Sequence, residues 1–168
     1  IQNKPRGMAD AILSAKKYLA GEVLIVNAED ILEEKAYQDV LTTASDTQAD
    51  VVLAGLQVDK YFPGGYLKVK GDKVEGIVEK PGEGNEPSDL VRVVVDYFKD
   101  GQKLISVLEN TQSDKDDVYE VVLDKMIKDN LDVRFTKYEG VWVPLKYPWH
   151  ILDITAYLLS NLEQQISP

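Results

Sequence analysis

Glu22-Val23-Leu24-Ile25-Val26-Asn27-Ala28-Glu29-Asp30 sets four consecutive aliphatic residues, three of them β-branched, against an abrupt end in Asn27, Ala28 and two acids. Such a run reads as a buried strand of a parallel sheet. In open α/β sheets, ligands bind beyond the carboxyl ends of the strands. A strand that delivers Glu29 and Asp30 to that edge is a candidate metal or substrate site; the alternative is that these acids cap a following helix.

The flanks support the α/β reading. Met8, Ala11, Ile12, Ala15, Tyr18 and Leu19 recur at helical spacing, and Gly21 follows, so a helix is expected over 8–19. A second helix is expected over 32–44 and a second buried strand over 51–58. Helix, strand, helix, strand is the alternation of a parallel sheet with crossover helices. The grammar then changes to a turn-rich loop at 61–65, a hairpin of 66–69 with 74–78 around Gly71-Asp72, and a loop at 81–87. A β-branched strand is expected at 90–98, a short helix at 104–108 and an acidic loop at 113–117. A helix over 118–130, a strand over 132–137, an extended segment over 141–147 and an amphipathic helix over 149–165 complete the chain. No repeat or linker interrupts it, so residues 1–168 are read as a single domain.

Composition narrows the function classes. A chain of 168 residues with 44% hydrophobic and 29% charged residues can bury a real core. The net charge of −10 argues against nucleic acid as a partner, and an anionic ligand would need a local Lys or Mg²⁺. The absence of cysteine excludes disulfides, thiolate metal sites and thiol nucleophiles. No apolar run of membrane length and no leader pattern occurs, so no membrane partner is expected and the cytoplasm is the default location. The chain begins at Ile1 and not Met, which leads to the expectation that a preceding segment has been removed or lies outside this sequence.

Gly7-Met8-Ala9-Asp10-Ala11 opens the first helix with small residues, which lets a ligand approach the backbone N–H groups at the positive end of the dipole, or makes a plain tight turn. The Gln2 amide can both donate and accept, as reading a nucleobase edge requires. Val78-Glu79-Lys80-Pro81 ends a strand with an acid, a base and a chain break. Adjacent strand residues point to opposite faces, so both charges serve one site only where the strand gives out. Lys80 could neutralise a phosphate and Glu79 could accept from sugar hydroxyls; otherwise they are ordinary surface charges. His150, the only histidine, has no acid or serine partner at motif spacing and reads as a helix-start residue.

The order of these motifs is more specific than any one of them. Gln2-x4-Gly7-Met8-Ala9-x-Ala11, a strand ending Asn27-Ala28-Glu29, a Gly65 loop, Val78-Glu79-Lys80-Pro81, Gly140-Val141-Trp142 and Pro148-Trp149-His150-Ile151-Leu152 together resemble the sugar-1-phosphate nucleotidyltransferases, in the glucose-1-phosphate thymidylyltransferase and N-acetylglucosamine-1-phosphate uridylyltransferase branch. The resemblance implies an α/β, Rossmann-like nucleotide-diphospho-sugar transferase fold, with a mixed, mostly parallel sheet, flanking helices and its N-terminal part missing. It also implies transfer of a nucleotidyl group from dTTP or UTP to a sugar-1-phosphate, aided by Mg²⁺, so the partners would be a nucleoside triphosphate with a sugar-1-phosphate, or a nucleotide-sugar. Carried over by position, Gln2 and Gly7 would bind the nucleotide, Gly65 and Glu79 the sugar, Lys80 would act on the phosphate as the catalytic cation, and Glu29 would hold the metal.

The departures from the family pattern shape the expectation as much. The family's Gly-Gly-x-Gly-Thr-Arg loop is absent, so this chain by itself is expected to be weak or inactive. Glu29 replaces the family's Asp, Pro144 stands where the second metal-binding Asp is expected, and Val94-Val95-Asp96 replaces Gly-x-Tyr. These changes together support an alternative, a catalytically silent nucleotide-sugar-binding or regulatory subunit. Missing first strands would leave a sheet edge open to a second copy or a partner chain.

Overall fold

In a computed structural model, residues 7–114 and 117–166 are described. The loop expected over 1–6, and Lys115 and Asp116 of the acidic loop, lie outside the described residues. The first helix is α1 (Gly7–Ser14), followed by one turn of 3₁₀ helix (Lys16–Tyr18), so it is shorter than the apolar periodicity predicts. Then come β1 (Val23–Val26), β2 (Asp30–Leu32), α2 (Glu34–Thr47) and β3 (Val51–Gln57). The hairpin is β4 (Gly65–Lys70) with β5 (Lys73–Glu79), and β6 (Leu90–Phe98) leads into α3 (Gly101–Glu109). The chain continues through α4 (Val118–Lys128), β7 (Val133–Tyr138), β8 (Trp142–Pro144) and α5 (His150–Ile166).

Six strands form one sheet in the order β1-β6-β3-β7-β5-β4, and β2 pairs with β8 in a separate ribbon. The sheet is mixed, with helices on both faces, as expected. Its parallel share is smaller than expected: among the described residues β3–β7 is the parallel ladder, and β6 lies antiparallel between β1 and β3. Among the described residues the Val23–Val26 run is therefore at the sheet edge and not buried at its centre, with Val26 45% exposed. A four-residue aliphatic run cannot signal its own neighbours. That place belongs to β6, whose longer β-branched run is paired on both sides.

β3 shows how the two layers form. Val51 and Leu53 enter one core with α1, α3 and α4, while Val52, Ala54 and Leu56 enter the other with α2. This two-residue alternation is what a strand covered on both faces requires. The register between β3 and β6 shifts after Leu53, which pairs with Asp96, because Ala54 pairs with Val93. Irregularities of this kind bend a strand and re-aim its side chains, and they recur beside sites. α3 is capped by Asp100, whose carboxylate accepts from Gln102 N and Lys103 N at 2.9 and 3.2 Å. Among the described residues, no helix is long and apolar enough to cross a membrane.

Candidate functional site

The turn after β1 is organised by Asn27. Its backbone N–H donates to Val94 O of β6 at 3.1 Å, and its carbonyl accepts from Asp30 N at 3.2 Å. The side chain completes the turn: Oδ1 accepts from Glu29 N at 3.4 Å and Nδ2 donates to Asp30 Oδ2 at 3.2 Å. A short amide side chain suits this task because it can imitate a backbone group in a turn. Asp30 opens β2, and Glu33 holds the N-cap position of α2, so neither Glu29 nor Asp30 caps that helix.

The opposite wall comes from the β4–β5 hairpin and the loop before it. Phe62 N donates to Tyr66 Oη at 2.8 Å, and Lys80 N donates to Gly64 O at 3.0 Å, which pins the loop to the end of β5. A Cβ on Gly65 would approach Glu79 Oε2 to 3.1 Å, so glycine lets that carboxylate lie against the strand. Lys80 adopts φ 45°, a left-handed conformation uncommon for a residue with a side chain. Its side chain is 65% exposed, with Nζ 3.5 Å from Glu79 Oε1.

Glu29, Gly65 and Glu79 line one cavity of about 220 Å³, together with Asn27 and Asp30. Gly7 lines a wider groove of about 710 Å³ between α1 and β1, which shares Met8, Asn27 and Glu29 with the first. Lys80 stands beside Glu79, outside the residues lining either space. Gln2 lies outside the described residues. His150 starts α5 and its Nδ1 accepts from Lys146 N at 3.1 Å, a structural use consistent with its reading as a helix-start residue.

Three charged residues that the motif reading passed over also line this cavity: Arg92, Glu120 and Lys146. Arg92 has a side chain only 5% exposed; it donates through Nη1 to Asp96 Oδ2 at 2.6 Å and through Nη2 to Glu120 Oε1 at 2.8 Å. Tyr119 Oη donates to the same Asp96 oxygen at 2.9 Å. Burial pushes the Asp96 carboxyl up to about 6 even though Arg92 and Tyr119 stabilise its charge. Burial works against the Arg92 charge, but Asp96, Tyr119 and Glu120 outweigh it and hold the guanidinium above its ordinary value. A signal for this network is present in the sequence: Arg92 and Asp96 are the two charges in an otherwise apolar nine-residue strand.

Beyond β8, Leu145 N donates to Glu29 O at 3.1 Å, which holds Lys146 beside the two acids. Lys146 Nζ sits 4.4 Å from the centroid of the Phe62 ring, and Phe62 meets Trp142 edge to face at 4.9 Å. Burial raises the Asp30 carboxyl, and the Trp142 indole, Asn27 and Lys146 partly offset it. The Trp142 Nε1–H lies buried beside Asp30 without closing a hydrogen bond of ordinary geometry.

The Mg²⁺ that the resemblance implies can be tested against this donor set. Mg²⁺ commonly uses one or two protein carboxylates with phosphate oxygens and water. Here the position paired with Asp30 is Pro144, which has no side-chain donor, and Asp30 is already engaged by Asn27 with the Lys146 ammonium nearby. Among the described residues, no group of three or more His, Cys, Asp or Glu is placed to hold a metal ion. These residues do not fit a resident divalent cation.

Similar proteins carry the same architecture. The chain is 23% identical over 163 residues to the bifunctional protein GlmU of Methanococcus aeolicus, covering 95% of this chain and 37% of that protein. It is 28% identical to a bifunctional sugar-1-phosphate nucleotidylyltransferase/acetyltransferase of Sulfurisphaera tokodaii, covering 94% and 37%. The chain thus spans well under half the length of the curated relatives it matches. Among solved structures, the UTP-bound UGPase of Acinetobacter baumannii superposes with a TM-score of 0.79 at 19% identity, over 98% of this chain and 64% of that one. A UDP-glucose pyrophosphorylase complexed with UDP-glucose gives a TM-score of 0.79 at 14% identity, over 96% and 65%. These likenesses show the Rossmann-like nucleotide-diphospho-sugar transferase fold. The family described as Nucleotidyl transferase matches residues 1–145, a span that takes in β1, the β4–β5 hairpin and β8; the elements that build the cavity are those the family shares, and the chain belongs to the Nucleotidyl transferase family.

Proposed function

We propose that the cavity binds the sugar-phosphate part of a nucleotide-sugar, within a protein that transfers a nucleotidyl group from UTP or dTTP to a sugar-1-phosphate. The observation that carries this reading is the convergence of Glu29, Gly65 and Glu79, three separate segments of sequence, on one cavity. Carboxylates accept hydrogen bonds from vicinal sugar hydroxyls, which suits Glu79 on the hairpin wall and Glu120 opposite. The guanidinium of Arg92 fixes one Glu120 oxygen, and Glu120, about a quarter exposed, keeps the other available to a ligand. Lys80 at the rim is the cation for the sugar phosphate, and Glu29 stands with Asp30 at the phosphate end. The groove along α1, lined by Gly7, takes the base. One solved neighbour of this fold is UTP-bound and another is complexed with UDP-glucose, which supports a nucleotide-sugar as the ligand class.

In transfer, the sugar phosphate attacks the α-phosphorus and pyrophosphate leaves. Fixed positive charge at the phosphoryl oxygens then contributes most of the rate. Among the described residues Lys80 and Lys146 are cations in place for it. A second reading, a catalytically silent nucleotide-sugar-binding or regulatory subunit, is favoured by Pro144 opposite Asp30. Both readings expect UDP-glucose or dTDP-glucose to bind and raise the melting temperature, and Glu79→Gln to weaken binding by about tenfold, the size of one hydrogen bond to a charged group. Pyrophosphate release by the full-length protein, from UTP or dTTP with glucose-1-phosphate or N-acetylglucosamine-1-phosphate, separates them. The absence of binding by every nucleotide-sugar would sink both.

A further inference from the structure

The family's chemistry calls for a cation at the end of β1, yet the residues there do not fit a divalent one. Pro144 faces Asp30 across the β2–β8 ribbon without a donor atom, and Glu29 and Asp30 come from a single turn. A cation is present all the same. Leu145 N binds Glu29 O and thereby places Lys146 on the cavity wall beside both acids, where the Phe62 ring holds its ammonium at 4.4 Å. Next to it the Trp142 indole N–H is buried beside the Asp30 carboxylate, whose charge it helps to stabilise.

We propose that Lys146 supplies, as a fixed ammonium, the positive charge that a divalent cation supplies elsewhere in the family, so that the phosphate of the ligand binds here without metal, accepting from Lys146 Nζ. The proposal rests on the reading that this cavity takes a sugar phosphate. Its electrostatics follow from the lining. Glu29 and Asp30 would repel a phosphate by themselves, and an ammonium among them offsets that repulsion while accepting no octahedral shell. Lysine suits the role as a compact charge on a flexible stem, and the aromatic face limits where that charge can go.

The test is calorimetric titration of the full chain with glucose-1-phosphate and with UDP-glucose, in EDTA and in millimolar Mg²⁺, with methyl glucoside as the neutral control. Wild-type affinity for both phosphate-bearing probes is expected to agree within about twofold between the two conditions. Lys146→Met should lose about tenfold or more, as for one charge-assisted hydrogen bond, and Lys146→Arg should retain most of the binding. Pro144→Asp, which restores a carboxylate opposite Asp30, should make binding respond to Mg²⁺. Lys146 lies near the surface, so an unchanged melting temperature of Lys146→Met shows that the loss is local. Binding that collapses in EDTA, or that survives Lys146→Met unchanged, overturns this proposal while leaving the sugar-phosphate reading intact. Binding of no phosphate-bearing probe in either condition overturns both.

Discussion

Replacing Arg92 by Met tests the buried charge network beneath the cavity. Arg92 is the partner of Asp96, which is wholly buried, and also ties down Glu120. With the guanidinium gone, among the described residues Asp96 keeps the Tyr119 hydroxyl alone, and its Oδ1 has no partner there. Removing one member of a buried ion pair costs about 3–5 kcal/mol, which for a domain of this size corresponds to a fall in melting temperature of roughly 10 °C. The loss should depend on pH. Asp96 titrates at about 6, above the ordinary value of 3.8, so the folded state holds this proton more tightly than the unfolded chain. Its contribution to stability is therefore greatest below the unfolded value and declines as pH rises through the folded one. Without Arg92 the carboxyl rises further and the decline extends to higher pH. Urea denaturation followed by circular dichroism should show a larger deficit for Arg92→Met at about pH 8 than at about pH 5. Pairing it with Asp96→Leu should recover part of the loss, because an apolar pair of similar volume removes the stranded charge. A deficit under about 1 kcal/mol at the higher pH, or one that does not change with pH, would refute the network's assigned role.

Two further substitutions probe the rim. Lys80→Gly should raise stability by about 0.5–1 kcal/mol by relieving the φ of 45°, while weakening UDP-glucose binding through loss of the ammonium; equal or lower stability in urea would count against strain at this residue. Gly65→Ala should displace the Glu79 carboxylate, which a new Cβ would meet at 3.1 Å, and reduce nucleotide-sugar affinity with little change in melting temperature; unchanged affinity would show that Glu79 does not contact the ligand.

Much of this protein was legible in its sequence, because the signals were local. Leu90–Phe98 and Val23–Val26 are strands with the boundaries their β-branched runs predict, and α4 starts at Val118 as its periodicity requires. The motif order named Glu29, Gly65 and Glu79 as candidate site residues, and the fold brings these three to the wall of one cavity, while Gly7 lines a second space and Lys80 neither. Arg92 and Asp96 were visible as charges in an apolar strand, but spacing alone does not show that a guanidinium will bridge to Glu120, which is 28 residues away.

What the tertiary structure alone decided is the environment of the stretch from Glu22 to Asp30. Its residues specify a strand and a turn, since β-branching and the Asn27 side chain act over a few positions. They do not specify that β6 would lie against that strand antiparallel, or that Pro144 and Lys146 would arrive beside Asp30. Those neighbours come from residues far along the chain, brought in by pairing and burial that only the assembled sheet provides. The charge that faces the two acids is for that reason a property of the fold, set by Lys146.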